Sequence, residues 1–153
     1  MLHLFTGKSV FHKSDIFKNA PWTQCYEPDV PHQFTPTHDT LLDLLEEAVE
    51  QHPNKAFIFY FGKKITYQTF YDYIRRTAFS FQKMGVKKND RIAILLPNTP
   101  DFMIAYWAAL YIGAIAAPIS PFLSSREINT AVTLLDPKIF IISDLLISRA
   151  RQA

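Results

Sequence analysis

Glycine is scarce in this chain of 153 residues: there are four, Gly7, Gly62, Gly85 and Gly113, and no two lie near each other. A loop that cradles phosphate needs clustered glycines, so that successive backbone N–H groups converge on the anion. No such cluster exists, which excludes a glycine-rich nucleotide loop. Cysteine is scarcer still. Cys25 alone excludes a disulfide framework and a cysteine-based metal site, and it suits a reducing compartment. The histidines, His3, His12, His32, His38 and His52, lack helix-pair or short-range metal spacing and read as solvated residues. No metal site is expected. A strong charge imbalance is also missing: the net charge of +2 leaves no footprint for nucleic acid. The first eighteen residues hold lysine but no arginine, and their apolar runs are too short for a secretory leader.

What is present is a 48% hydrophobic and 20% charged composition, ordinary for a soluble domain with a real core. The stretch 90–121, DRIAILLPNTPDFMIAYWAALYIGAIAAPISP, organises the rest. Residues 92–96 are an apolar run too short for a helix, hence a buried strand. Thr99 offers a capping hydroxyl, and Pro100 suits the first helical position. A helix over 101–112 then closes at Gly113 in the left-handed conformation. Residues 114–119 form a second buried strand, ended by Pro118, Ser120 and Pro121. Strand, helix and strand with short joints make a parallel, right-handed βαβ unit. Residues 102–119 carry no charge and approach the length of a membrane span, but the breaks at Thr99, Gly113 and Pro118 cut them to a short globular helix.

The flanking sequence extends this α/β pattern. Residues 1–39 have no sustained period, and Pro21, Pro28, Pro31 and Pro36 keep them as an extended N-terminal arm. Thr40 and Asp43 form a capping box for a helix that ends near His52, with Leu41, Leu44, Leu45 and Ala48 on its apolar face. Residues 56–61 (AFIFYF) are a strand, 64–66 its hairpin partner, and Gly62-Lys63 the turn. Thr66 caps a helix reaching Met84, with Phe70, Ile74, Ala78 and Phe81 as its buried stripe and Gly85 as its stop. Asn89 suits a left-handed turn. Ser124 and Glu127 form a second capping box. Ile128, Ala131, Val132 and Leu135 line the following helix until Asp136-Pro137, and 139–142 supply a third parallel strand. From Leu145 another helical pattern begins. The fold class is therefore α/β: a mostly parallel sheet flanked by helices, with a hairpin and an arm. If successive crossovers run in one direction, their helices share one face. The other face then needs the arm, the first helix or further sequence, so residues 40–153 read as an incomplete subdomain prone to self-association.

The ordered segments TLLDLLEEA, HPNKA, GKKITY, GVKKNDRIAILLPN and GAIAAPISP carry a resemblance. Together they resemble the N-terminal subdomain of the AMP-forming acyl-CoA synthetases, the adenylate-forming enzymes. Pro21-Trp22, Tyr26 and Val30-Pro31-His32 are similar to the arm of bacterial long-chain fatty acid–CoA ligases. The resemblance covers residues 21–143. Asn89 departs from the family's usual glycine, and Thr69 stands where a glutamate often completes the capping box after Thr66.

The resemblance implies a two-step reaction: a carboxylate attacks ATP to give acyl-adenylate and pyrophosphate, then coenzyme A takes the acyl group. It implies ATP, Mg2+ and coenzyme A as cofactors of the full enzyme, with a fatty acid as substrate. The family's phosphate-binding loop, adenine- and ribose-binding motifs and catalytic lysine all lie beyond the matched region. No catalytic residue is assigned, no cofactor is expected on this segment alone, and the isolated chain is expected to be inactive. The implied partner is the rest of the synthetase or a second copy, without nucleic acid or a membrane span. The implied location is cytoplasmic, with peripheral membrane contact left open. A non-catalytic interaction module built on the same fold is the alternative. A small flavodoxin-like binding protein is a third reading, and the missing phosphate loop counts against it.

Candidate contacts lie where parallel strands end. Asn98 is a candidate substrate contact, and the start of a helix accounts for it equally. Ser124, Ser125 and Arg126 are candidates for a phosphate of coenzyme A at a helix N-terminus, and capping accounts for both serines without a ligand. Phe57, Phe59, Phe61, Tyr67, Phe70 and Tyr71 are candidates for an acyl tunnel, with core packing as the competing assignment.

Overall fold

The computed structural model describes residues 21–31, 36 and 38–151, and the run 92–95 is a strand with no exposed surface at all. The chain divides into two compact units, Met1–Thr37 and His38–Ala153. In the larger unit this strand, β3 (Arg91–Leu95), lies between β4 (Ile115–Pro118) and β5 (Ile139–Ile142). Both neighbours pair with it in parallel, Ile92 opposite Ala116 on one side and Ile139 on the other. Pro118 ends β4 as expected: it is the strand's last residue, opposite Ile94, and an outer strand tolerates its missing N–H.

The order β4-β3-β5 corrects the expectation of same-direction crossovers. From β3 the chain passes through α3 (Pro100–Tyr111) to β4, then returns through α4 (Ser125–Leu135) past β3 to β5. Opposite directions with one handedness put the two helices on opposite faces. Accordingly Ile92 and Ile94 pack with Ala105, Ala108 and Ala109 of α3, whereas Ala93 and Leu95 pack with Ile128 of α4. Both faces are covered within the chain. The expected bare face is absent because the second crossover reverses.

A further layer backs α3. In α2 (Tyr67–Lys83), Phe70, Ile74, Ala78 and Phe81 form the buried stripe that their spacing predicts. In α1 (Leu41–Gln51) the buried pair is Leu45 and Val49, while Leu41 and Leu44 are exposed. The apolar face is thus narrower than Leu41, Leu44, Leu45 and Ala48 suggested, because only the i, i+4 row meets the core. The Tyr71 hydroxyl donates to Glu46 Oε1 at 2.6 Å and ties α2 to α1. Burial, then the Glu46 carboxylate, pushes the Tyr71 hydroxyl above its ordinary range.

The antiparallel hairpin of β1 (Ala56–Tyr60) and β2 (Lys63–Thr66) is a separate two-stranded sheet. Its turn is Phe61-Gly62, one residue earlier than the expected Gly62-Lys63, because Lys63 already pairs with Tyr60. Phe61 and Gly62 have φ of 44° and 75°. Two positive φ values are what a tight two-residue hairpin of the mirror-image type requires. The Phe57 ring packs against Tyr67 and Phe70 at 4.7 and 4.8 Å between centroids.

Helix starts follow local chemistry. Thr40 and Asp43 cap each other's backbone N–H, and Thr66 accepts from Thr69 N at 3.2 Å. Thr66 also donates to the Thr69 hydroxyl at 3.0 Å, a side-chain link where a glutamate would have closed the box. Gly85, Asn89 and Gly113 adopt positive φ as expected. Asp136 ends α4 in the left-handed region, and Arg91 grips its carbonyl at 3.2 Å and its carboxylate at 3.3 Å. A short 3-10 turn and α5 (Ile147–Arg151) complete the described chain.

In the first unit, Pro21–Cys25 is a 3-10 helix, so this part of the expected arm is not extended. Proline's fixed φ of about −65° suits a helical turn as well as an extended chain. The expectations for residues 1–20 and for His32 lie outside the described residues.

Candidate functional site

Parallel strands deliver all their carboxyl ends to one edge, and ligands in such sheets sit where neighbouring strands leave toward opposite faces. Here β3 leaves toward α3 and β4 toward α4, so the divergence lies between residues 96–99 and 119–124. Ile119 N donates to Ile94 O at 2.8 Å, and Ser143 N donates to Leu95 O at 3.3 Å. These bonds hold the three loops side by side.

The structure brings the candidate residues to this edge and shows what each already does. Asn98 is exposed in the turn between β3 and α3. Thr99 caps α3 by accepting from Phe102 N at 3.4 Å. Beyond β4, Arg149 of α5 donates to Pro121 O at 2.8 Å and pins the loop. An open depression of about 600 Å³ lies among Phe122, Ser124, Ser125, Glu127, Ser148 and Arg149. Local pattern gave no signal of the Arg149 contact, since 28 residues separate its partners.

Ser124 is already engaged. The Glu127 carboxylate accepts from Ser124 N at 2.8 Å and from its hydroxyl at 2.7 Å, while Glu127 N donates back to Ser124 Oγ. The hydroxyl bond first, and the backbone bond second, hold the Glu127 carboxyl below its ordinary pKa. A phosphate arriving at Ser124, Ser125 and Arg126 would meet a negative carboxylate at the positive end of the helix. Glu127 therefore already fills this helix end, and no reaction step is assigned to it. Among the described residues no three His, Cys, Asp or Glu side chains gather as metal ligands. The six aromatics do not share a cavity: Phe57, Tyr67 and Phe70 pack in the core region, Tyr71 bonds Glu46, and Phe59 and Phe61 are exposed.

Comparison with known proteins then identifies the lineage. The family model of the AMP-binding enzymes matches residues 45–153. The chain belongs to this family. It is 30% identical over 130 residues to a long-chain-fatty-acid–CoA ligase of Bacillus subtilis, covering 85% of this chain and 23% of that enzyme. It is 29% identical over 118 residues to 4-coumarate–CoA ligase 1 of Arabidopsis thaliana, covering 76% of this chain and 21% of that enzyme. The solved N-terminal subdomain of Klebsiella oxytoca NpsA shares the fold at a TM-score of 0.64 with 23% identity, over 68% of this chain and 27% of that one. The chain thus spans about a quarter or less of the curated relatives' length. The fold is that of the N-terminal subdomain of adenylate-forming enzymes. No helix among the described residues is long and apolar enough to cross a membrane.

Proposed function

We propose that this AMP-binding family chain is the N-terminal segment of a fatty acid–CoA ligase and is inactive by itself. The observation that supports the fatty-acid reading is the likeness to the Bacillus ligase across 85% of the chain. In the complete enzyme a carboxylate oxygen attacks the α-phosphorus of ATP and pyrophosphate leaves. The coenzyme A sulfur then attacks the acyl carbonyl and AMP leaves. ATP, Mg2+ and coenzyme A are held by the remainder of that enzyme. This segment contributes a rigid parallel sheet whose carboxyl edge, with Asn98 at its mouth, faces the ligand side.

An aryl-acid ligase is the second reading, favoured by the likeness to the 4-coumarate enzyme. Pyrophosphate exchange into ATP by the full-length gene product, with palmitate and 4-coumarate as competing acids, separates the two. Faster exchange with palmitate is expected. Preference for 4-coumarate would replace the fatty-acid reading with the aryl one. Exchange with no acid of either class would favour a non-catalytic interaction module.

A further inference from the structure

The β1–β2 hairpin carries its apolar residues in an unusual place. Its inner pair, Ile58 opposite Ile65, packs against the core. On the other side Phe59 lies opposite Lys64, whose ammonium is 5.5 Å from the Phe59 ring centre. At the tip Phe61 is 89% exposed, and Phe59 behind it is 68% exposed. The Tyr60 ring meets Phe61 edge to face at 4.6 Å, so the tip is an aromatic cluster.

Phe61 is also strained. Its φ of 44° lies in the region where glycine and asparagine are at ease and a bulky residue is an outlier. Asn-Gly is the sequence this turn favours. A phenylalanine here loses on conformation and gains only the edge contact with Tyr60, not core burial, and such outliers concentrate at functional surfaces.

The charge within the hairpin has one sign: residues 56–66 contain Lys63 and Lys64 and no aspartate or glutamate. Phenylalanine rings ahead of a lysine collar match a bilayer boundary, where rings enter the headgroup region and ammonium groups stay with anionic lipid. A second copy of this chain would set the two lysine collars against each other, which disfavours tip-to-tip pairing.

We propose that the tip of this hairpin, Phe59 and Phe61 with Lys63 and Lys64, docks the protein on an anionic lipid bilayer. The proposal is independent of which acid the ligase activates.

Cosedimentation of the 153-residue chain with vesicles tests it, comparing phosphatidylcholine alone with phosphatidylcholine mixed with phosphatidylglycerol. Binding should require phosphatidylglycerol and weaken with salt. Lys63→Gln and Lys64→Gln should each lower the partition coefficient about fivefold. Phe61→Asn should lower it about tenfold while raising the thermal unfolding midpoint, because asparagine relaxes the turn. A misfolded variant cannot produce those opposite movements. Phe61→Trp should keep binding and add a vesicle-dependent blue shift to the fluorescence of the wild-type tryptophans. Equal binding to neutral and anionic vesicles, or wild-type binding by Phe61→Asn, would overturn the proposal. So would a Phe61→Asn effect confined to self-association in ultracentrifugation, which would assign the patch to a second copy.

Discussion

Two five-residue strands, AFIFY in β1 and RIAIL in β3, are similarly rich in apolar side chains and meet opposite fates. β3 has a strand on each edge and helices over both faces, so Ile92, Ala93, Ile94 and Leu95 lose all contact with water. β1 has a single strand partner and one covered face, leaving Phe59 exposed. The apolar character of a strand therefore does not fix its burial. What differs is the chain around it: β3 is joined through crossover helices that return over the sheet, whereas β1 turns straight back into β2.

That contrast is most strongly tested by truncating one residue from each strand. Ile94→Ala should destabilise by about 2–5 kcal/mol, since a fully buried aliphatic leaves a cavity. Phe59→Ala removes a larger side chain but should stay within about 0.5 kcal/mol, as exposed positions do. Chemical denaturation of both variants measures the pair, and equal losses would mean that β1 is as covered as β3.

A smaller effect tests the joint that carries the chain into β4. Gly113 has φ of 71°, and an added Cβ would sit 3.1 Å from Lys88 Cγ. Gly113→Val should cost roughly 1–3 kcal/mol through backbone strain. Gly113→Asn should cost less, because asparagine tolerates that region. Indistinguishable unfolding midpoints for the two would remove the left-handed stop from the account.

The smallest stability effect lies at the start of α4. Ser124→Ala should cost about 0.5–2 kcal/mol at neutral pH, the usual range for a lost cap. Glu127 titrates lower in the folded chain than in the unfolded one, so its share of the box is present above the ordinary carboxylate pKa. That share fades as pH falls through the lowered folded value. The gap between wild type and Ser124→Ala should therefore narrow on acidification. A gap that widened in acid would show that the carboxylate does not support the box.

Much of this architecture is legible in the sequence because its signals are local. Thr40, Thr66, Thr99 and Ser124 each meet their capping partner within three residues. Gly85, Asn89 and Gly113 mark their turns by residue type alone. Strand order is different, since nothing in residues 120–138 says on which side of β3 the chain must return. The Arg91 grip on Asp136 spans 45 residues and the Arg149 bond to Pro121 spans 28, beyond any local pattern. The hairpin turn starts one residue before Gly62-Lys63 because Phe61, a residue type that ordinarily avoids positive φ, takes its first position. At the candidate site, the motif that suggests anion binding at Ser124 is also the motif that fills the helix end with Glu127.

The proposed function is that this AMP-binding family chain supplies the scaffold of a ligase without its chemistry. Fatty-acid-dependent exchange of labelled pyrophosphate into ATP, measured on the purified 153-residue chain, tests it most directly. The expected result is no exchange above a protein-free control at any fatty acid concentration. Exchange that copurifies with the chain through successive columns would show that these residues carry out adenylation themselves, and would contradict the account.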